Sequence, residues 1–153
     1  MLVLLFSIGE DRYGLPAAAV VEVTPLLRVK KLPGVPAFVA GLCNFRGQSM
    51  PVLDVSSLAG GMPCRALLST RMMVVNYALA DGSVRPLGLL AERATETAMV
   101  SPEDLQPAGV RSDGAPFLGN VAVGGGAMVQ LVDVQGLLTP QATALLFPVE
   151  AAP

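Results

Sequence analysis

Few residues of this 153-residue chain have types and spacings that could support chemistry. There is no histidine. Serine triads and Cys-His pairs therefore lack their usual proton acceptor, and a zinc site lacks its commonest nitrogen ligand. A lysine or carboxylate base stays open. Cys43 and Cys64 have no CxxC spacing and read as two buried thiols of a cytoplasmic protein, where disulfides are rare. Gly124-Gly125-Gly126 lacks the GK[ST] ending of a phosphate loop and lies between strand-like runs, so it reads as a turn. The acidic pairs Glu10-Asp11 and Glu103-Asp104 fall in polar, turn-like stretches and read as solvated faces. Catalysis, a metal and a cofactor are not expected. What remains is a single cation, Arg46, beside a glycine in the middle of the stretch from Phe38 to Val55, which is apolar at both ends.

The elements that must position Arg46 read as strands. Hydrophobic residues make up 52% of the chain and charged residues only 14%, with 16 glycines and 13 prolines, which favours short buried strands joined by tight turns. Strand-like runs are expected at Leu2–Ile8, Val39–Phe45, Ser49–Leu53, Met72–Tyr77, Pro86–Leu90, Val121–Val123 and Met128–Val132. Pro16–Val21 fits a single helical turn. Thr139-Pro140 fits an N-cap followed by proline at the first helical position, predicting a brief C-terminal helix over Gln141–Phe147. The N-terminal MLVLLFSIG lacks a basic leader and a small-residue cleavage site, so it reads as a strand rather than a signal segment. No apolar run approaches the roughly 18 residues a membrane helix needs, despite a mean hydropathy of +0.59. Direct membrane insertion is therefore not expected. A net charge of −2, with Lys30 and Lys31 the only lysines, leaves no basic stripe for a phosphate backbone and argues against nucleic acid.

The sequence also echoes itself. Phe38–Val55 aligns without a gap on Phe117–Val134, so that Gly47 meets Gly126 and Asp54 meets Asp133; Gly14–Val23 aligns on Gly88–Thr97, pairing Glu22 with Glu96. Two matches in the same order point to one domain over residues 1–153 with duplicated halves, about 1–60 and 71–147. Ser56–Thr70 would then cross between the halves and Ala98–Pro116 would be an added loop. Shared positions should serve the backbone, Gly47 and Gly126 as turn residues and Asp54 and Asp133 as caps of a following helical turn; Gly41, which meets Asn120, is also expected to help set the hairpin. The first copy reads Asn44-Phe45-Arg46-Gly47-Gln48 where the second reads Val123-Gly124-Gly125-Gly126-Ala127. Arg46 is thus an addition to a turn that glycine alone can make. It either braces the fold internally or meets a carboxylate outside it.

The stretch Phe38 to Asp54, with its N-F-R-G core, resembles the signature of CheW-like chemotaxis coupling proteins. Phe6-Ser-Ile-Gly with Tyr13-Gly-Leu-Pro resembles that family's first two strands, Val20-Val-Glu-Val23 its V-x-E-V element, and Gly119–Leu138 its closing segment. The resemblance covers about residues 2–147. It implies an all-β chain of two small SH3-like five-stranded barrels with a short C-terminal helix, acting as a non-enzymatic cytoplasmic adaptor between a chemoreceptor's cytoplasmic tip and a histidine kinase's regulatory domain. Carried over by motif, Val20, Glu22, Phe45 and Arg46 would face the receptor; the kinase's related domain would pack against the second half, near Met72 and Met73, a placement that no motif carries. The internal echo points the other way for Glu22, because Glu96 repeats it and a repeated residue reads as scaffold. The chain starts at its first strand, and Thr24-Pro25 follows V-x-E-V; both departures suggest a divergent paralogue in an array that need not steer flagella. The alternative reading is a small-barrel ligand-binding or regulatory module whose apolar groove takes a metabolite.

Overall fold

The computed structural model describes residues 1–110, 115–124 and 128–148. Ten strands dominate it: β1 (Leu2–Ile8), β2 (Asp11–Pro16), β3 (Val20–Pro25), β4 (Val39–Phe45), β5 (Gln48–Asp54), β6 (Arg71–Ala78), β7 (Val84–Met99), β8 (Leu105–Gln106), β9 (Leu118–Ala122) and β10 (Val129–Val132). Two α-helices are short, α1 (Val55–Leu58) and α2 (Pro140–Leu146). The Thr139 side chain accepts from the Ala142 N–H and Pro140 occupies the first turn, where its missing donor costs nothing. At the other helical signal, Ala17–Ala19 forms one 3-10 turn.

The fold is all-β, with two barrels that share β7. Pro86–Leu90, expected as a five-residue strand, is the first part of a sixteen-residue one. Arg93, at φ +52°, sits where β7 slips register against β1, and this irregularity divides β7 between the barrels. One barrel runs β3-β6-β7-β5-β4 and is closed where the chain beyond β3 returns to β4 through the Lys30–Leu42 bridge. The other runs β7-β1-β2-β10-β9-β8, and β8 closes it on β9. The expected loop over Ala98–Pro116 therefore contains a 3-10 turn and the closing strand β8.

The barrels are not the sequence halves. β1 and β2 of the first half join β9 and β10 of the second, whereas β6 and the start of β7 join β3, β4 and β5. Equivalent registers recur across this exchange. Val52 lies opposite Gly88 in one parallel pair and Leu131 opposite Gly14 in the other, at the offsets of the sequence echo. The Asp54 N–H donates to Phe38 O and the Asp133 N–H to Phe117 O, both at 2.8 Å. Positions aligned by the echo thus make equivalent contacts in different barrels. The two glycines explain themselves sterically: a Cβ on Gly14 would stand 2.3 Å from Val3 Cγ1, and one on Gly88 3.0 Å from Met50 Cε.

Alternation along the strands divides the core in three. On β6, Met72 and Val74 point into the first barrel with Cys43, Met50 and Val52, whereas Met73 and Val75 point into a central layer between the barrels with Phe6, Leu53 and Phe117. Val3, Val100 and Ala122 fill the second barrel. Because β6 is buried on both faces, it reads as a nearly continuous apolar run.

Candidate interaction site

The hairpin β4–β5 turns in two residues, Arg46 and Gly47, at φ +51° and +83°. Two consecutive left-handed residues are the pattern of a type I′ turn, whose twist suits a two-residue hairpin. Glycine adopts it freely and arginine does not, the left-handed region costing an L-residue roughly 1–2 kcal/mol. Asn44 supports the turn, its Oδ1 accepting from the Gly47 N–H at 2.9 Å.

This backbone projects the Arg46 side chain back across its own barrel. The guanidinium carbon lies 4.8 Å from the Phe45 ring centroid, and Nη2 donates to Glu22 Oε2 of β3 at 2.9 Å. The fold therefore answers one half of the question raised by this cation: it has an internal carboxylate. The pair remains accessible, with side-chain exposures of 67% for Arg46 and 40% for Glu22. In such a setting the pair contributes about 0.2–1 kcal/mol. Glu96, the repeat of Glu22, also meets an arginine, Arg12, at 3.5 Å.

Of the residues carried over by motif, Glu22, Phe45 and Arg46 come together. Val20 does not join them, since it packs against the central core. Val21 and Val23 are each 41% exposed, but Val23 pairs with Met73 and Glu22 with Val74, so Val23 lies on the face of β3 opposite Glu22. Val21 is the extra residue where β3 slips register on β6, between the pairs Val20–Val75 and Glu22–Val74. That bulge puts Val20 and Val23 on the face opposite Glu22, and a motif reading could not find it.

Met72 and Met73 must be withdrawn as kinase contacts. Both are completely buried, one in the first barrel and the other in the central layer, so neither side chain reaches a surface. Gly41 is not at a turn but inside β4, at φ +142°, where a Cβ would stand 2.0 Å from the Lys30 carbonyl oxygen; its bareness lets the closing bridge form. Asp54 accepts from the N–H groups of Ser57 and Cys64, at 3.1 and 2.9 Å, and caps α1. Asp133 accepts from the Gln135 N–H at 3.2 Å and caps the turn Val134–Gly136. Gly126 lies outside the described residues.

Nothing in this arrangement assembles a reacting centre. Among the described residues no group of three Cys, Asp or Glu side chains could hold a metal. Burial and the neighbouring Asp54 carboxylate push the Cys64 thiol up to about 12, the opposite of an activated nucleophile. An apolar cleft of about 520 Å³ lies beside α2, lined by Tyr77, Leu79, Leu138, Pro140, Thr143 and Phe147. Tyr77 stacks on Phe147 with ring centroids 5.9 Å apart, and its hydroxyl lies 3.2 Å from Thr143 Oγ1.

The family model for the CheW-like domain matches residues 2–142. The chain belongs to that family. CheW-like proteins are scaffolds and not enzymes, in keeping with a site made of an ion pair and an aromatic ring. The chain is 23% identical over 145 residues to the chemotaxis protein CheW of Klebsiella aerogenes, covering 94% of this chain and 84% of that protein. It is 24% identical over 136 residues to that of Treponema pallidum, covering 88% and 79%. The crystal structure of the scaffolding protein TtCheW from Thermoanaerobacter tengcongensis superposes with a TM-score of 0.80 at 24% identity, covering 92% of this chain and 89% of that one. Among the described residues no helix is long and apolar enough to cross a membrane.

Proposed function

We propose that this chain is a cytoplasmic adaptor that couples a chemoreceptor's cytoplasmic tip to a histidine autokinase, by binding alone. Its family and the chemotaxis proteins it resembles support that reading. The observation that carries the receptor contact is the accessible Arg46, held over Phe45 and against Glu22 in a backbone conformation that glycine would adopt more cheaply. An exposed arginine kept at such a position can offer its unused guanidinium donors to a carboxylate of a receptor helix, while the Phe45 ring beneath it supplies apolar contact. Thr24-Pro25, which departs from the family pattern, favours an array with an output other than flagellar steering. With Met72 and Met73 buried, the kinase's regulatory domain must dock on other residues. Each contact is expected to bury less than about 1,200 Å² and to gain strength from the array's multivalency.

A charge exchange tests the receptor contact. Arg46→Glu alone should abolish capture by a receptor-tip fragment. Combined with Glu22→Arg it should restore the internal pair but not capture, because the outward charge at the turn is still inverted. Full capture by the exchanged protein would reduce Arg46 to an internal brace. A second reading, the ligand-binding module, is favoured by the apolar cleft beside α2; saturable thermal stabilisation by a small amphipathic molecule would support it.

A further inference from the structure

A second surface of the first barrel has a chemistry that the coupling role does not use. Between Glu22 and Asp54 the sequence holds no acidic residue but four cations, Arg28, Lys30, Lys31 and Arg46, in a chain whose net charge is −2. Arg28 and Lys30 line a cleft of about 500 Å³ together with Leu42, Asn44, Gln48 and Ser49, and no acid lines it. The two cations stand two residues apart in the chain and line the same cleft.

The cleft exists because a strand pairing stops early. Leu42 and Lys30 exchange both backbone hydrogen bonds, at 2.7 and 2.9 Å, so the polar groups of Leu42 point away from β5. The partner of Leu42 on β5 is Pro51, which has no N–H to offer. Two residues on, Asn44 has the same orientation, with its N–H and C=O at the outer edge of β4. No backbone hydrogen bond joins it to Arg28, and its carbonyl receives only a long contact from Cys43 Sγ at 3.6 Å. The second barrel shows the alternative. There Leu105–Gln106 pairs with Val121–Ala122, and the zip continues as the Val123 N–H donates to Asp104 O at 3.2 Å. Val123 stands where Asn44 does in the echo, and Asp104 lies two residues before Gln106, the partner of Val121, as Arg28 lies two before Lys30, the partner of Leu42. One copy is closed and acidic; the other is open and basic.

We infer that this cleft docks an extended acidic segment of a partner protein, which pairs its backbone with Asn44 and sets carboxylates two residues apart against Arg28 and Lys30. Charge complementarity and the unpaired edge argue together for a strand-like guest. A lone small anion would use the cations but leave the edge open. The inference does not depend on the receptor reading, because Arg46 is not among the residues that line the cleft.

The test is fluorescence anisotropy of a fluorescein-labelled (Glu-Thr)4 peptide against the full chain, with (Gln-Thr)4 as reference. Saturable binding is expected, at least tenfold stronger for the acidic peptide, weakened at least tenfold by Arg28→Gln or Lys30→Gln and kept within twofold by Arg85→Gln, a cation that stands over the Phe147 ring instead. Amide exchange at Asn44, followed by NMR, should slow when the acidic peptide is added. Equal binding of the two peptides, no saturation, or an unchanged Asn44 amide would overturn the proposal. So would displacement by inorganic phosphate beyond that by chloride at equal ionic strength, which would mark a small-anion site.

Discussion

Replacing Arg46 with Asn separates what this residue does for the fold from what it does for a partner. The substitution removes the ion pair to Glu22, made by exposed side chains and therefore contributing about 0.2–1 kcal/mol. It also removes the cation over Phe45, worth about 0.5–1 kcal/mol at an exposed site. Against these losses stands the turn. Arg46 sits at φ +51°, where an L-residue is strained by roughly 1–2 kcal/mol and where asparagine is much more at home. The terms nearly cancel, so the change in unfolding free energy should stay within about 1 kcal/mol, or a melting shift of about 2–4 °C for a chain of this size. Guanidinium chloride denaturation measures the first quantity, and titration of a receptor-tip fragment into the variant measures binding. A stable variant that no longer binds is the expected outcome. Destabilisation above about 2 kcal/mol with binding intact would refute the reasoning, for it would make Arg46 a structural brace.

Gly41→Ala should destabilise by at least about 2 kcal/mol in the same denaturation assay, because a Cβ at 2.0 Å from Lys30 O cannot coexist with the two hydrogen bonds that close the first barrel. Burial pushes the Glu92 carboxyl up, but the backbone N–H and guanidinium of Arg65 more than reverse this and leave it below the usual range. Its contribution is therefore complete above the ordinary glutamate pKa of about 4.3 and lost as pH falls through the lower folded value; Glu92→Gln should flatten that acid limb of a stability-versus-pH curve. Cys64, pushed up to about 12 by burial and by Asp54, should be alkylated by iodoacetamide at pH 8 at least a hundredfold more slowly than in the unfolded chain. Asp54→Asn should speed that reaction by removing the neighbouring negative charge.

The sequence could announce its strands because burial is periodic and local. β1 and β4 match their expected limits residue for residue, since apolar runs bounded by Gly, Pro or polar turns leave few other choices. β7 was seen only in its apolar first part. Its second part, Arg93–Met99, holds two charged residues among small ones with no apolar run, and it becomes a strand by pairing with β1 across a register slip. Met72 and Met73 illustrate the opposite failure. An apolar pair on a strand reads the same whether it faces a partner or a core, and only packing between two barrels buries both faces.

The echo, the glycine at the β4–β5 tip, the capping carboxylates and the family motif were all written in residue identities, because each depends on a local backbone geometry that only certain side chains allow. The tertiary structure decided the rest. It joined strands of each sequence half to the other, brought Glu22 to Arg46 across 24 positions of chain, and set a one-residue bulge at Val21 that leaves Val20 against the central core. It also ended one strand pairing where the other continues, which left a basic cleft in one barrel alone. Register and strand exchange depend on which distant segment supplies the hydrogen-bond partner. No local pattern contains that information.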